Sequence, residues 1–357
     1  MEVILFQCAR RRRAQQQQQQ LPQHQQGPQR QRRRHERIFR PRTTLHGLRE
    51  HDIIQRYRLN WQAIQQLLRN IEPQFADNPH HPNRNQAACS TSHAGKWLFS
   101  NNWCPGCRNT TAIILCLFAQ STGCHHWTYT LQKQQETKQG FYLISGFPHI
   151  LGGIDCIHVR LLPPAATEHL YRNRKHTHSI NVQAIVDHQG LITNIVAKYP
   201  GSVHDSFIFR HSSINQHFQD GRYGNGLLIA DQGYGIQPWI MTPIDNPSTA
   251  AERAYNDAHR RTRTIVERTF GILKSRLRCL DITCGSLLYS PEMVCKIILT
   301  CAILHNICIK RNIPLLEPEP HMPEEEEEED GGLQHEGEQQ NTAAGLRRRQ
   351  HIVNNLF

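Results

Sequence analysis

The stretch Gly152-Gly153-Ile154-Asp155-Cys156-Ile157-His158-Val159-Arg160-Leu161 decides how the chain is read. Asp155, Ile157, Val159 and Leu161 alternate with more polar neighbours, which is the period of a β-strand. Ile180, Val182, Ala184 and Val186 repeat the alternation downstream. Asp187-His188-Gln189-Gly190 is a turn signal, and Leu191 to Tyr199 returns as the second arm of a hairpin. Leu227 to Ala230 is a short apolar run ending at Asp231-Gln232-Gly233, as a buried strand does. Arg263 to Leu280 then switches to helical spacing, with Val266, Phe270, Leu273 and Leu277 on one face. Ser290-Pro291-Glu292 opens a last helix with a capping residue, a proline at its first position and an acid in its first turn. The pattern predicts an α/β fold, a mixed sheet flanked by helices.

Four carboxylates stand out on that frame. Asp155 lies on the first strand, and Asp205 follows the turn Pro200-Gly201-Ser202. Asp231 ends the later strand, and Glu267 lies on the helix. Taken singly, each is most simply a surface or capping group, since most acids are exposed. As a set they are more specific. If the strands of Asp155 and Asp231 are parallel neighbours, their ends come within reach of one metal pair, and the helix of Glu267 packs on the same sheet. Oxygen-only ligands suit Mg²⁺ or Mn²⁺. Two such ions can activate water and stabilise the leaving oxygen in phosphodiester cleavage. On the helix, Arg263, Glu267, Gly271, Lys274 and Arg278 fall along one stripe at i+3 and i+4 steps. An acid within a basic stripe suits a metal beside a phosphate backbone. Ion pairs on an exposed helix face explain the stripe equally well.

Charge points to the same partner. The chain has 357 residues and a formal net charge of +11. Residues 317–338 hold eleven acidic residues and no Lys or Arg. Three of the 41 basic residues lie beyond them, so residues 1–316 carry 38 basic against 19 acidic residues, a net +19. Such a region attracts nucleic acid or an acidic membrane surface. No uncharged apolar stretch is long enough for a membrane span. Val294 to Ile309 is interrupted by Lys296, Thr300, His305 and Asn306, which reads as a core helix. The basic N-terminus does not fit a secretory signal. Without one, the twelve cysteines are expected to be reduced thiols. Cys104-Pro105-Gly106-Cys107 with Cys124-His125-His126 has only half of a zinc-site spacing, and unrelated thiols are the simpler reading.

The flanks complete the layout. Residues 1–40 form a basic, Gln-rich tail expected to be disordered, with Arg10 to Arg13 and Arg32 to Arg34 as a nuclear-localisation or nucleic-acid arm. Residues 41–146 are expected as a helical N-terminal region. In it Ile53, Ile54 and Tyr57 share one helix, and Asn60 caps a second that carries Ile64, Leu67, Leu68 and Ile71 and closes at Pro73. Ala112 to Ala119 is apolar and helical, and 120–140 is polar and Gln/Lys-rich. Residues 147–312 hold the strands and acids, and 313–357 read as a disordered acidic tail. Asn173-Arg174-Lys175-His176 offers Arg174 and Lys175 as phosphate contacts beside Arg263, Lys274 and Arg278, or is simply a charged loop before a strand.

From Gly152 to Ile313 the chain resembles the nuclease domain of PIF/Harbinger transposases and the nucleases derived from them. The matching segments include Gly153 to Val159, Tyr171 to Lys175, His178 to Gln183, Pro200 to Asp205, Leu228 to Asp231, Ala254 to His259, Ile265 to Phe270 and Leu304 to Ile307. The resemblance implies an RNase H-like, DDE-type core and a divalent-metal-dependent endonuclease acting on DNA. It implies metal ligands at Asp155, Asp205, Asp231 and Glu267, with Asp155, Asp231 and Glu267 catalytic. Asp231 has the better claim to be the middle aspartate, because it follows a buried strand. Asp205 is then an accessory group. It implies a Myb/SANT-like DNA-binding partner, location in the nucleus and also the cytoplasm, no membrane, and room for a homo-oligomer. One departure is that only seventeen residues separate Gly123 from Phe141, so the family's DNA-docking helices are expected to be truncated. The alternative is a catalytically silent adaptor that keeps the fold and binds DNA or a partner.

Overall fold

Two amphipathic segments come first, α1 (Glu50–Tyr57) and α2 (Trp61–Ala76). The computed structural model describes residues 49–76, 130–315 and 341–357. Arg58 ends α1 in the left-handed region, at φ 59°. Asn60 Oδ1 accepts from the amide of Ala63 at 2.9 Å, the cap its sequence suggests. The stop expected at Pro73 does not occur, and α2 runs on to Ala76. Proline removes one amide donor and crowds the carbonyl four residues back. So near a helix end that loss touches only the final turn.

The polar stretch before Phe141 is helical from residue 131. In α3 (Leu131–Ser145) Thr130 caps the start and Gly146, at φ 73°, closes the end. Phe141 and Thr137 are fully buried against the sheet and the long helix described below. The boundary expected at 146/147 therefore falls inside the packed unit. Ala112 to Ala119 and the Cys104, Cys107 and Cys124 cluster lie outside the described residues, as does the tail 1–40.

Next come β1 (Ile150–Arg160), the short α4 (Glu168–Tyr171), β2 (Ser179–Val186) and β3 (Ile192–Pro200). Two short helices, α5 (Asp205–Arg210) and α6 (Ser213–Gln219), lead to β4 (Leu227–Ile229) and β5 (Ile240–Met241). The five strands form one mixed sheet in the order β3-β2-β1-β4-β5. The first three pair antiparallel, and β4 and β5 run parallel to β1. This is the expected mixed sheet flanked by helices.

One face of the sheet is covered by α7 (Ala250–Arg276) and α8 (Pro291–Lys310). There Ile157, Val159, Val182 and Ile229 meet Val266, Phe270 and Ile298. The other face packs Ile154, Ile185 and Leu228 against Phe209, Ile214 and Phe218 of α5 and α6. Because both faces are covered, all eight residues of β2 are buried, polar ones included. The α1–α2 pair rests on the end of α8, with Ile53, Ile64 and Leu67 on Ile303, Cys308 and Ile313. By length and composition α8 could cross a membrane, at mean hydropathy 1.7. Half of that window is buried in the protein, as a core helix requires.

Helix α7 starts thirteen residues before Arg263 and ends at Arg276, so Arg278 lies past it in a 3-10 turn. The missed start is a capping box: Thr249 Oγ1 accepts from the Glu252 amide at 3.1 Å and Glu252 Oε2 accepts from the Thr249 amide at 2.9 Å. The tail expected over 313–357 also ends differently. In α9 (Ala343–Leu356) Ile352 and Val353 are buried. The ring of Phe357 lies 5.6 Å from Phe147 and 5.9 Å from Tyr255, centroid to centroid. Arg348 donates to the carbonyls of Pro238 and Asn225. A few apolar residues and paired arginines dock this segment despite its low-complexity surroundings.

Candidate active site

Strand register builds the site. Gly153 of β1 lies opposite Ile229 of the parallel strand β4. Two residues further along each chain stand Asp155 and Asp231, which brings the two acids side by side on the face that α7 covers. Adjacent strands lie about 4.8 Å apart, so carboxylates so placed interact directly. A glycine at 153 lets α7 approach, since an added Cβ would come within 3.3 Å of Val266.

Both acids are largely withdrawn from solvent, Asp155 at 15% exposure, with little compensation. Burial, and then the charge of Asp231, push the Asp155 carboxyl up to about 7, against the pull of Arg263 and the Cys156 amide. Asp231 is raised by burial and then by the charge of Asp205, again against Arg263. Asp155 Oδ1 accepts only a local bond, from the Cys156 amide at 2.7 Å. Asp231 Oδ1 is buried with no hydrogen-bond partner among the described residues, although the Gly233 amide pulls on the carboxylate as Cys156 does on Asp155. A Cβ on Gly233 would stand 3.2 Å from that oxygen, so the backbone folds closely round the carboxylate. Two adjacent acids held in this state are short of positive charge.

Asp205 begins α5 behind His204, and its Oδ1 accepts from Asn181 Nδ2 at 2.7 Å. Its charge reaches Asp155, Asp231, Cys156 and Tyr234. Beside it the half-buried Cys156 thiol and the buried Tyr234 hydroxyl lie 3.2 Å apart, and desolvation pushes both well above their ordinary values. Sequence reading missed this pair, although Cys156 adjoins Asp155 and Tyr234 lies three residues past Asp231.

The fourth acid is held apart. Glu267 is about half exposed, and its Oε1 lies 3.2 Å from Arg263 Nη2, one helical turn earlier. The same Nη2 lies 3.9 Å from Asp155 Oδ2. Arg263 thus faces inward, between two acids, rather than outward along a basic stripe. Among the described residues no three His, Cys, Asp or Glu side chains stand ready-made around a metal position. The donor set nonetheless fits a hard divalent cation: buried carboxylates, one orphaned oxygen, and a deficit of positive charge.

His259, one turn before Arg263, fixes the site from below. Its Nε2 donates to the carbonyls of Ala230 at 3.0 Å and Met241 at 3.1 Å, tying α7 to the ends of β4 and β5 just ahead of Asp231. Burial holds this imidazole neutral, with its pKa depressed to about 4. Of the other basic residues read from sequence, Arg174 and Lys175 are exposed on a turn that Asn173 closes by accepting from the amide and hydroxyl of Thr177. Lys274 is partly buried on α7, and Arg278 is exposed beyond it.

Residues 154–306 match the family model of DDE superfamily endonucleases. The chain is 38% identical over 196 residues to the human protein named "Putative nuclease HARBI1", covering 54% of this chain and 56% of that one. The Xenopus laevis protein of that name is 34% identical over 193 residues, 52% of this chain and 56% of its own length. The Arabidopsis thaliana "Protein ALP1-like" is 25% identical over 214 residues, 55% and 52% of the two chains. The chain thus spans about half the length of the curated relatives it matches. No solved structure matches it. With its mixed sheet and its two neighbouring aspartates, the segment 154–306 is similar to DDE superfamily endonucleases and to the Harbinger transposase-derived nucleases.

Proposed function

We propose that this chain is a divalent-metal-dependent nuclease that hydrolyses DNA phosphodiester bonds without acting as an autonomous transposase. The observation that carries the reading is the parallel register of Gly153 with Ile229, beyond which Asp155 on β1 and Asp231 just past β4 come close enough for the charge of one to act on the other. Mg²⁺ or Mn²⁺, when bound, would activate water and neutralise charge on the phosphate. Asp155 and Asp231 would hold the cation with their buried carboxylates. Asp205, steadied by Asn181, would keep the acceptor side of the site negative. Glu267, near solvent at the lip, would complete the ligand set and orient the attacking water. Arg174, Lys175, Lys274 and Arg278 would meet the phosphate backbone, which positions DNA without reading its sequence.

The proposed setting is the nucleus, with the cytoplasm as a second compartment. Sequence-specific docking would come from a Myb/SANT-like partner, and a homo-oligomer would supply a second active site for a second strand. The test is cleavage of plasmid DNA with Mg²⁺ or Mn²⁺ by the full chain beside Asp155→Ala and Glu267→Ala. Nicking by the wild type alone supports the reading. Equal, metal-independent backgrounds in all three end it. One observation favours a second reading, the silent adaptor: Glu267 is tied to Arg263 rather than to the aspartates. DNA binding with no calorimetric uptake of Mn²⁺ would select it.

A further inference from the structure

Arg263 is the only cation placed against both Asp155 and Glu267 among the described residues. Its side chain is 30% exposed, against 15% for Asp155. Its Nε is buried and has no hydrogen-bond partner, so the guanidinium is held by charge rather than by a full set of bonds. Its charge also reaches Asp231 and the neutral His259. Around the same centre no three-ligand metal set is assembled, because Glu267 follows Arg263 by one turn and pairs with it. These facts share one cause. A buried acid cluster needs a positive charge, and here a side chain of α7 supplies it.

We propose that Arg263 is a positioning residue, a built-in counter-cation that stabilises the acid cluster in the metal-free protein and holds Glu267 off the aspartates until a divalent cation takes its place. The inference deepens the metal-dependent reading above and rests on it. Arg263 and an incoming cation compete for the same carboxylates, so cation affinity carries the cost of displacing the guanidinium. That displacement frees Glu267 to join the ligands. It also frees the guanidinium fork, which suits a phosphate oxygen pair.

The test uses the full chain with Arg263→Gln, Arg263→Lys and the control Arg261→Gln. Arg261 is exposed on the same helix and, among the described residues, bonds back to the Asp257 carbonyl. Unfolding is followed in EDTA, and Mn²⁺ affinity by calorimetry. Removing the counter-cation is expected to lower the midpoint in EDTA by about 3 °C or more. It is expected to tighten Mn²⁺ about tenfold relative to Arg261→Gln. Arg263→Lys, which keeps the charge without the fork, should fall between. In Arg263→Gln/Asp155→Asn the loss of stability should largely vanish, because the stranded acid is gone. Mn²⁺ affinity no tighter than in Arg261→Gln, or a midpoint loss that Asp155→Asn does not relieve, overturns the proposal. The two readings separate cleanly. Tighter Mn²⁺ in Arg263→Gln without DNA cleavage by any form defeats the nuclease and keeps the counter-cation. Cleavage by the wild type with unchanged Mn²⁺ affinity does the reverse.

Discussion

One sheet buries aspartates in two places, and the two are treated differently. Asp187 sits at the β2–β3 turn, fully buried. Its Oδ1 accepts from the amides of Gln189 and Leu191, both at 2.9 Å, and its Oδ2 faces Lys133 Nζ at 3.9 Å. Asp155 and Asp231 crowd each other's charge and share one guanidinium, 3.9 Å from Asp155, and Asp231 Oδ1, like Asp187 Oδ2, has no hydrogen-bond partner among the described residues. Burial alone is therefore not the mark of a site. Asp187 stands alone, and its Oδ1 staples the turn it closes. In the second place neighbouring acids share one cation, a deficit of positive charge that costs stability and is what a functional cluster looks like.

The largest effect should come from removing that deficit. Asp155→Asn or Asp231→Asn is expected to cut metal-dependent DNA cleavage by about a thousandfold, some 4 kcal/mol of transition-state stabilisation. Unfolding in EDTA should show no loss, or a small gain, since a poorly compensated buried charge is gone. A parallel fall in stability would put Asp155 in the same class as Asp187. The converse is Asp187→Ala, which strands the buried amide of Leu191 and the part-buried amide of Gln189 and should cost about 3 kcal/mol in urea unfolding. Mn²⁺ affinity should not change. If it falls as far as in Asp155→Asn, the two regions are not separate.

Acid should press on both ends of the sheet alike. His259 anchors the strand end before Asp231, and His305 donates to the Gly190 carbonyl at the Asp187 turn. Burial depresses each from 6.5 to about 4, so the unfolded chain binds protons that the folded chain refuses. Stability is then full above pH 6.5 and is lost as pH falls towards 4, by about 2 kcal/mol per histidine at pH 5. Unfolding of His259→Gln and His305→Gln between pH 7 and pH 5 should each show a shallower slope than wild type. An unchanged slope would mean that neither imidazole is held neutral. The smallest effect belongs to a third kind of acid. Glu252 is half-exposed with its Oε2 bonded three times over, and the Thr249 amide, then the hydroxyl and amide of Ser248, hold it down to about 2. Breaking its box with Thr249→Ala should cost about 1 kcal/mol of stability and nothing in cation binding.

Much of this was legible in the residues. Alternation gave β1 and the β2–β3 hairpin, and capping residues gave the starts of α2 and α8. The acids were visible as types. Their adjacency was not, because it depends on the pairing of Gly153 with Ile229 across more than seventy residues. The role of Arg263 was hidden for the same reason: a helical stripe cannot say which side of it meets an acid from another strand. Helix α3 escaped because its exposed face is Gln/Lys-rich, while Phe141 and Thr137 carry its packing. The start of α7 escaped although Thr249 and Glu252 announce it.

The strand order has a further consequence in time. The hairpin β2–β3 and its partner β1 are neighbours in sequence and can form early, since their contacts close short loops. Strand β4 must return to the far edge of β1 after the α5–α6 excursion, and α7 can settle only when both are present. Contacts between such distant segments pay their loop-closure entropy before they are rewarded. The acid pair therefore comes into being with the last long-range steps of folding. A partly folded chain, however basic, does not yet carry it, so the proposed cutting capacity is tied to the completed fold.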